Sequence, residues 1–130
     1  MTSVVIGGLY LVADSKLTLP PEEKRQIHNE RRPFLVLSGS QTNSDAQWPV
    51  VLGCPVSAST LYKTRFDVKL AAHEAGTIKK CWIRVPAVQP LLKTDLEDLT
   101  GTLTQDRLEE VQGRLLTYLG LVGNSSTDEP

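Results

Sequence analysis

Apolar residues fall in short runs through most of the chain and then switch to helical spacing. Val4 to Val12 is apolar around Gly7 and Gly8, which predicts a first strand with a bend or bulge at the glycines. Phe34 to Leu37 is continuously apolar up to Ser38 and predicts a central strand buried on both faces. Trp48 to Val56 predicts the next strand, with Pro49 in its first residues and Pro55 at its end. Arg65 to Leu70 alternates, so Phe66, Val68 and Leu70 are expected inside and Arg65, Asp67 and Lys69 in water. Cys81 to Val85 reads as a further strand, Pro86 as a break, and Ala87-Val88-Gln89 as the start of another. Between these lie a long polar connection (Asp14 to Arg31, with Pro20 and Pro21), a turn-rich loop (Gly39 to Asp45), a short loop (Ser57 to Thr60) and a turn region around Gly76.

The period changes after Gly101. Thr104 is a good N-cap, and Asp106 in the first turn favours the helix dipole. Leu108, Val111, Leu115 and Leu119, joined by Leu116, recur at helical spacing until Gly120. About six short strands followed by one amphipathic helix suit a strongly twisted, partly closed β-barrel with the helix packed on it.

The length of 130 residues suits one domain, expected over 1–123, with 124–130 as a disordered tail. A formal net charge of -1 argues against a generally basic nucleic-acid binder. The total hides clustering, however: Lys24, Arg25, Arg31 and Arg32 lie close together, and Lys79, Lys80 and Arg84 form a second group. A local basic groove is compatible with those positions. Cys54 and Cys81 both lie in apolar runs and read as buried free thiols, because two cysteines are too few for a disulfide scaffold. His28 and His73 are lone histidines in polar stretches, so no metal site and no cofactor are expected. The start of the chain lacks a basic region before its apolar run, and no apolar stretch nears membrane-spanning length. A cytoplasmic protein without membrane contact is expected.

Two of the strands carry polar groups at their ends. Arg32 precedes the first, and Ser57 follows the second. Paired antiparallel, the start of one lies beside the end of the other, so a guanidinium and a hydroxyl converge on one rim. Such a pair can hold a phosphate. Taken alone, Arg32 reads better as a surface salt bridge, and Ser57 as a loop-capping hydroxyl.

In order along the chain, five stretches together resemble the PemK/MazF family of toxins from type II toxin-antitoxin pairs. They are Gly8-Leu9-Tyr10-Leu11-Val12, Arg32-Pro33-Phe34-Leu35-Val36-Leu37-Ser38, Val50-Val51-Leu52-Gly53-Cys54-Pro55-Val56-Ser57, Gly76 to Trp82, and Gly101-Thr102-Leu103-Thr104 followed by a helix ending Leu119-Gly120-Leu121. The resemblance implies a mainly β fold, a small SH3-like barrel of the PemK/MazF/CcdB type with a C-terminal helix, usually as a homodimer. It implies a sequence-specific, metal-independent endoribonuclease. Such enzymes cut single-stranded RNA through attack of the substrate's own 2′-hydroxyl, leaving a 2′,3′-cyclic phosphate and a 5′-hydroxyl. A cognate antitoxin would neutralise the toxin, and DNA binding would come through that complex.

The family's arginine and strand-ending hydroxyl map to Arg32 and Ser57, which the resemblance makes the catalytic pair. His28 and Glu30, in the loop that borders the RNA groove in the family, are candidate general bases or acids. Arg31, Ser59, Lys63, Lys80, Trp82 and Arg84 are candidate RNA contacts, although alternation sends Arg31 to the face opposite Arg32. The chain departs from the family at Arg84-Val85-Pro86-Ala87, where several members carry an acid followed by glutamine; proline can neither shuttle a proton nor donate a backbone N–H. Two alternatives follow: a family member of weak or lost activity that acts by binding, and a gyrase-binding toxin of the related barrel. The second lacks the C-terminal tryptophan expected there.

Overall fold

In the computed structural model, residues 4–19, 31–60 and 62–122 are described. Among the described residues, seven strands form one curled antiparallel sheet. They are β1 (Gly8–Ala13), β2 (Arg31–Val36), β3 (Val50–Ser57), β4 (Val68–Leu70), β5 (Cys81–Ile83), β6 (Gln89–Leu92) and β7 (Leu99–Thr102). A short helix α1 (Ser40–Ser44) lies between β2 and β3, and α2 (Gln105–Tyr118) follows β7. The expected mainly β half-barrel with one C-terminal helix is the architecture found.

The sheet runs β4-β5-β3-β2-β1-β7, and β3 is its branch point. On one side β3 pairs with β2. On the other it pairs with β6 over Val50 to Gly53 and with β5 over Val56 and Ser57. One strand thus serves two diverging ladders, and the sheet curls where they part. At the far ends of the curl, the 3-10 turn Glu74–Gly76 packs on β7. A side chain at Gly101 would overlap the carbonyl of Ala75, so glycine is needed for this approach.

The alternation of β1 and β2 divides the core in two. Leu9, Leu35, Cys54, Val56, Val68, Leu70, Ile83 and Val85 pack on one face with Leu103, Leu108 and Val111. Tyr10, Val12, Leu17, Phe34, Val36, Val51 and Leu91 pack on the other. That β2 is apolar without interruption follows from this burial on both faces. The Thr104 hydroxyl accepts from Arg107 N at 3.2 Å, a cap that contributes about 1 kcal/mol. Arg107 also binds Glu74 at 2.7 Å, which holds the Glu74 carboxyl below its usual range and fastens α2 to the turn against β7.

Several details depart from the sequence pattern. Gly39 to Asp45 holds a helical turn rather than a plain loop. β5 stops at Ile83, because Pro86 starts a 3-10 turn, Val85–Ala87. Leu116 and Leu119 are exposed, so the buried stripe of α2 is narrower than its leucines suggest. Asp67, expected in water, is buried.

Candidate functional site

The register of β2 and β3 pairs Phe34 with Pro55. Two residues further along each strand, the same register sets Arg32 opposite Ser57. The Arg32 guanidinium is fixed from two sides. Its Nη1 donates to the Val56 carbonyl at 3.2 Å, and its Nε donates to Asp14 Oδ1 at 2.8 Å. Asp14 directly follows the first strand and is only 2% exposed, whereas the Arg32 side chain is 23% exposed. Among the described residues, no protein group accepts a hydrogen bond from Arg32 Nη2. That nitrogen keeps its donors for a ligand oxygen at the rim. Ser57 is buried, and its Oγ accepts from Ser59 N at 3.1 Å, which leaves the hydroxyl proton to donate.

The row continues across the sheet. Ser57 is in register with Trp82 of β5, and Trp82 with Lys69 of β4. Directly opposed residues share a face, so a guanidinium, a hydroxyl, an indole and an ammonium line one side of the sheet. The Trp82 residue is 8% exposed, and the Nζ groups of Lys63 and Lys80 lie 5.8 and 5.7 Å from its ring centroid. The indole is capped by cations rather than open as a stacking surface. Two lysines gathered on one ring make a positive patch beside the hydroxyl.

Arg84 follows β5 and is turned into the protein. It is buried, with Nη1 on Asp67 Oδ2 at 3.2 Å and Nη2 on the Ser59 carbonyl at 2.6 Å. Arg31 binds Glu97 at 2.6 Å on the face away from Arg32, as strand alternation requires. Pro86 sits in the turn after β5 and offers no proton donor. His28 and Glu30 lie outside the described residues, as does the 124–130 tail. His73 is exposed. Cys54 and Cys81 are buried free thiols. Burial, with a smaller push from Asp67, raises Cys54 to about 12, so it stays a protonated core residue and no nucleophile. Among the described residues there is no cluster of three or more metal-ligating side chains, and no helix is long and apolar enough to cross a membrane.

Two acids escaped the sequence pattern. Asp14 looked like the first residue of a polar loop, yet antiparallel pairing of β1 with β2 brings the end of one to the start of the other, beside Arg32. Asp67 was assigned to water by an alternation that begins only at Val68.

Comparison with known proteins gives a consistent picture. The model of a family described as PemK-like, MazF-like toxin of type II toxin-antitoxin system matches residues 16–119. No curated protein matches. Among solved structures, a MazE-MazF crystal structure from Deinococcus radiodurans superposes with a TM-score of 0.69 at 22% identity, covering 94% of this chain and 100% of that one. MazF alone from the same organism gives 0.68 at 24%, covering 92% and 99%. An endoribonuclease in complex with its cognate antitoxin, from a mycobacterial species, gives 0.66 at 19%, covering 95% and 99%. At these identities the likeness is one of fold.

Proposed function

Because the chain belongs to the PemK-like, MazF-like toxins of type II toxin-antitoxin systems, we propose that it is an endoribonuclease that cleaves single-stranded RNA at the Arg32–Ser57 rim without a metal. The observation that carries this reading is the fixed guanidinium of Arg32, held by buried Asp14 and by the Val56 carbonyl, opposite the Ser57 hydroxyl.

In the proposed reaction the 2′-oxygen attacks the adjacent phosphorus as its proton leaves to a base. The P–O5′ bond breaks, and the departing 5′-oxygen takes up a proton. Charge builds on the equatorial phosphate oxygens in between. Arg32 Nη2 and the Ser57 hydroxyl supply donors where that charge develops, and their prior fixation removes the reorganisation cost. An arginine stays protonated at neutral pH, so Arg32 acts by charge stabilisation and not as the base. Asp14 orients Arg32 and is too buried to reach substrate itself. Pro86 cannot take the role of the acid found near this position in other family members, so the base must come from elsewhere, with His28 and Glu30 as candidates. Single-stranded RNA as substrate, a homodimer and neutralisation by a cognate antitoxin belong to the same proposal.

The purified protein should cut a mixed single-stranded RNA in EDTA, and an oligonucleotide with 2′-deoxyribose at the cut position should resist. Ser57→Ala is expected to lower kcat about 100-fold, as loss of one positioned donor does, while Ser57→Thr keeps most activity. RNA left intact at large protein excess would favour a binding protein instead.

Lys63 and Lys80 carry a second expectation. If both ammonium groups reach phosphates, Lys63→Gln with Lys80→Gln should flatten the slope of log binding constant against log salt by about 1.4, at about 0.7 per charge for a single strand. Titration of a fluorescent, 2′-deoxy-blocked RNA at several salt concentrations reads this. An unchanged slope would remove the two lysines from the RNA path.

A further inference from the structure

The connection from β3 to β4 passes the rim, and a single buried ion pair gathers both of its ends. At the near end, Ser59 N donates to Ser57 Oγ at 3.1 Å, and the Ser59 carbonyl accepts from Arg84 Nη2 at 2.6 Å. Arg84 Nη1 then donates to Asp67 Oδ2 at 3.2 Å, and that carboxylate accepts from Thr64 N at 3.0 Å and Thr64 Oγ1 at 3.3 Å. From α2, Arg114 Nη1 donates to the carbonyls of Arg65 and Asp67 at 2.9 and 3.0 Å. A continuous chain of bonds therefore runs from the Ser57 hydroxyl through Ser59, Arg84 and Asp67 to Thr64.

The Arg84 and Asp67 side chains are 10% and 1% exposed. Burying two charges costs several kcal/mol per ion before their attraction is counted, and apolar replacements often serve stability as well. A buried pair is thus poor value as a fastener alone. Its geometry gives it another use, because the guanidinium grips the residue whose N–H holds the Ser57 oxygen.

Resting on the reading of Ser57 as a donor to the scissile phosphate, we infer that Arg84 and Asp67 are positioning residues, which set the Ser57 hydroxyl through Ser59 and fix the placement of Ser59 and Thr64 in the connection beside it. Arg84 then contributes to cleavage through Ser59 and not as an RNA contact.

Asp67→Asn keeps the shape and an acceptor for Thr64 while removing the charge that orients Arg84. It is expected to lower kcat about tenfold to 100-fold with KM within about threefold of wild type, as small misplacements of a reacting group do. It should also change the relative cutting of different sites in a mixed RNA. A merely destabilised enzyme would lose active molecules without changing that pattern. Arg84→Lys, which pairs with Asp67 as a point charge but cannot fork to Ser59 as well, should fall between the two. Amide exchange at Ser59, followed by NMR, should quicken about tenfold or more in Asp67→Asn while core amides of β2 keep their protection. Unchanged Ser59 exchange overturns the inference, as does faster exchange with wild-type kcat and cutting pattern. If wild-type protein leaves RNA intact, the nuclease reading falls separately, and Ser59 exchange alone decides whether the pair holds Ser57.

Discussion

Arg32→Ala is expected to lower kcat/KM for RNA cleavage about 100- to 1,000-fold, the loss that follows removal of a positioned charge-stabilising donor. The variant also takes from Asp14, which is 2% exposed, the guanidinium at 2.8 Å. Breaking a fully buried pair on one side costs about 3–5 kcal/mol, and the partial exposure of Arg32 lowers that cost here. Rates should therefore be read well below the melting temperature, with near-ultraviolet circular dichroism to confirm that the protein is folded. Arg32→Lys separates the two effects. It keeps a cation for Asp14 but lacks the fork that spans Asp14, Val56 and a ligand, so it should stay folded and still lose most activity. Arg32→Ala within about threefold of wild type would remove the guanidinium from the transition state.

Gly53→Ala should be among the most destabilising single changes in the chain. An added Cβ would overlap the Leu35 carbonyl and lie 2.6 Å from the Phe34 ring. Gly53 pairs with Val36 in β2 and with Gln89 in β6, so neither neighbouring strand can give way without disturbing the branch of the sheet. Overpacking of that severity costs about 3 kcal/mol or more, a large part of the 5–15 kcal/mol typical of a domain. The urea midpoint should fall with an unchanged slope, and activity should fall with it, because the same strand delivers Ser57 to the rim. A stability within about 0.5 kcal/mol of wild type, the range of ordinary surface changes, would contradict the close approach of β2 and β3.

The fold was legible where burial imposes a simple pattern. β2 is buried on both faces and announced itself as an unbroken apolar run; α2 announced itself by its cap and by Leu108 and Val111. β7 carried no such signal, since Leu99, Thr100 and Thr102 are exposed and Gly101 is there for a close approach. The juxtaposition of Arg32 and Ser57 was legible because antiparallel pairing brings strand ends together by necessity. The partners of that rim were not. Asp14 and Asp67 act through tertiary contacts with arginines far away in sequence, and an acid beside a loop looks alike whether it meets water or a guanidinium. Arg84 shows the same limit from the other side: its charge suggested a ligand, while Asp67 and the Ser59 carbonyl draw it inward.

On the proposed mechanism, the rim of β2 and β3 cleaves RNA through the substrate's own 2′-hydroxyl. Analysis of the RNA ends left by the wild-type protein in EDTA tests it most directly. The expected products carry 2′,3′-cyclic phosphate and 5′-hydroxyl ends that disappear with Arg32→Ala. Intact RNA at large protein excess, or 3′-hydroxyl ends with 5′-phosphates, would contradict it.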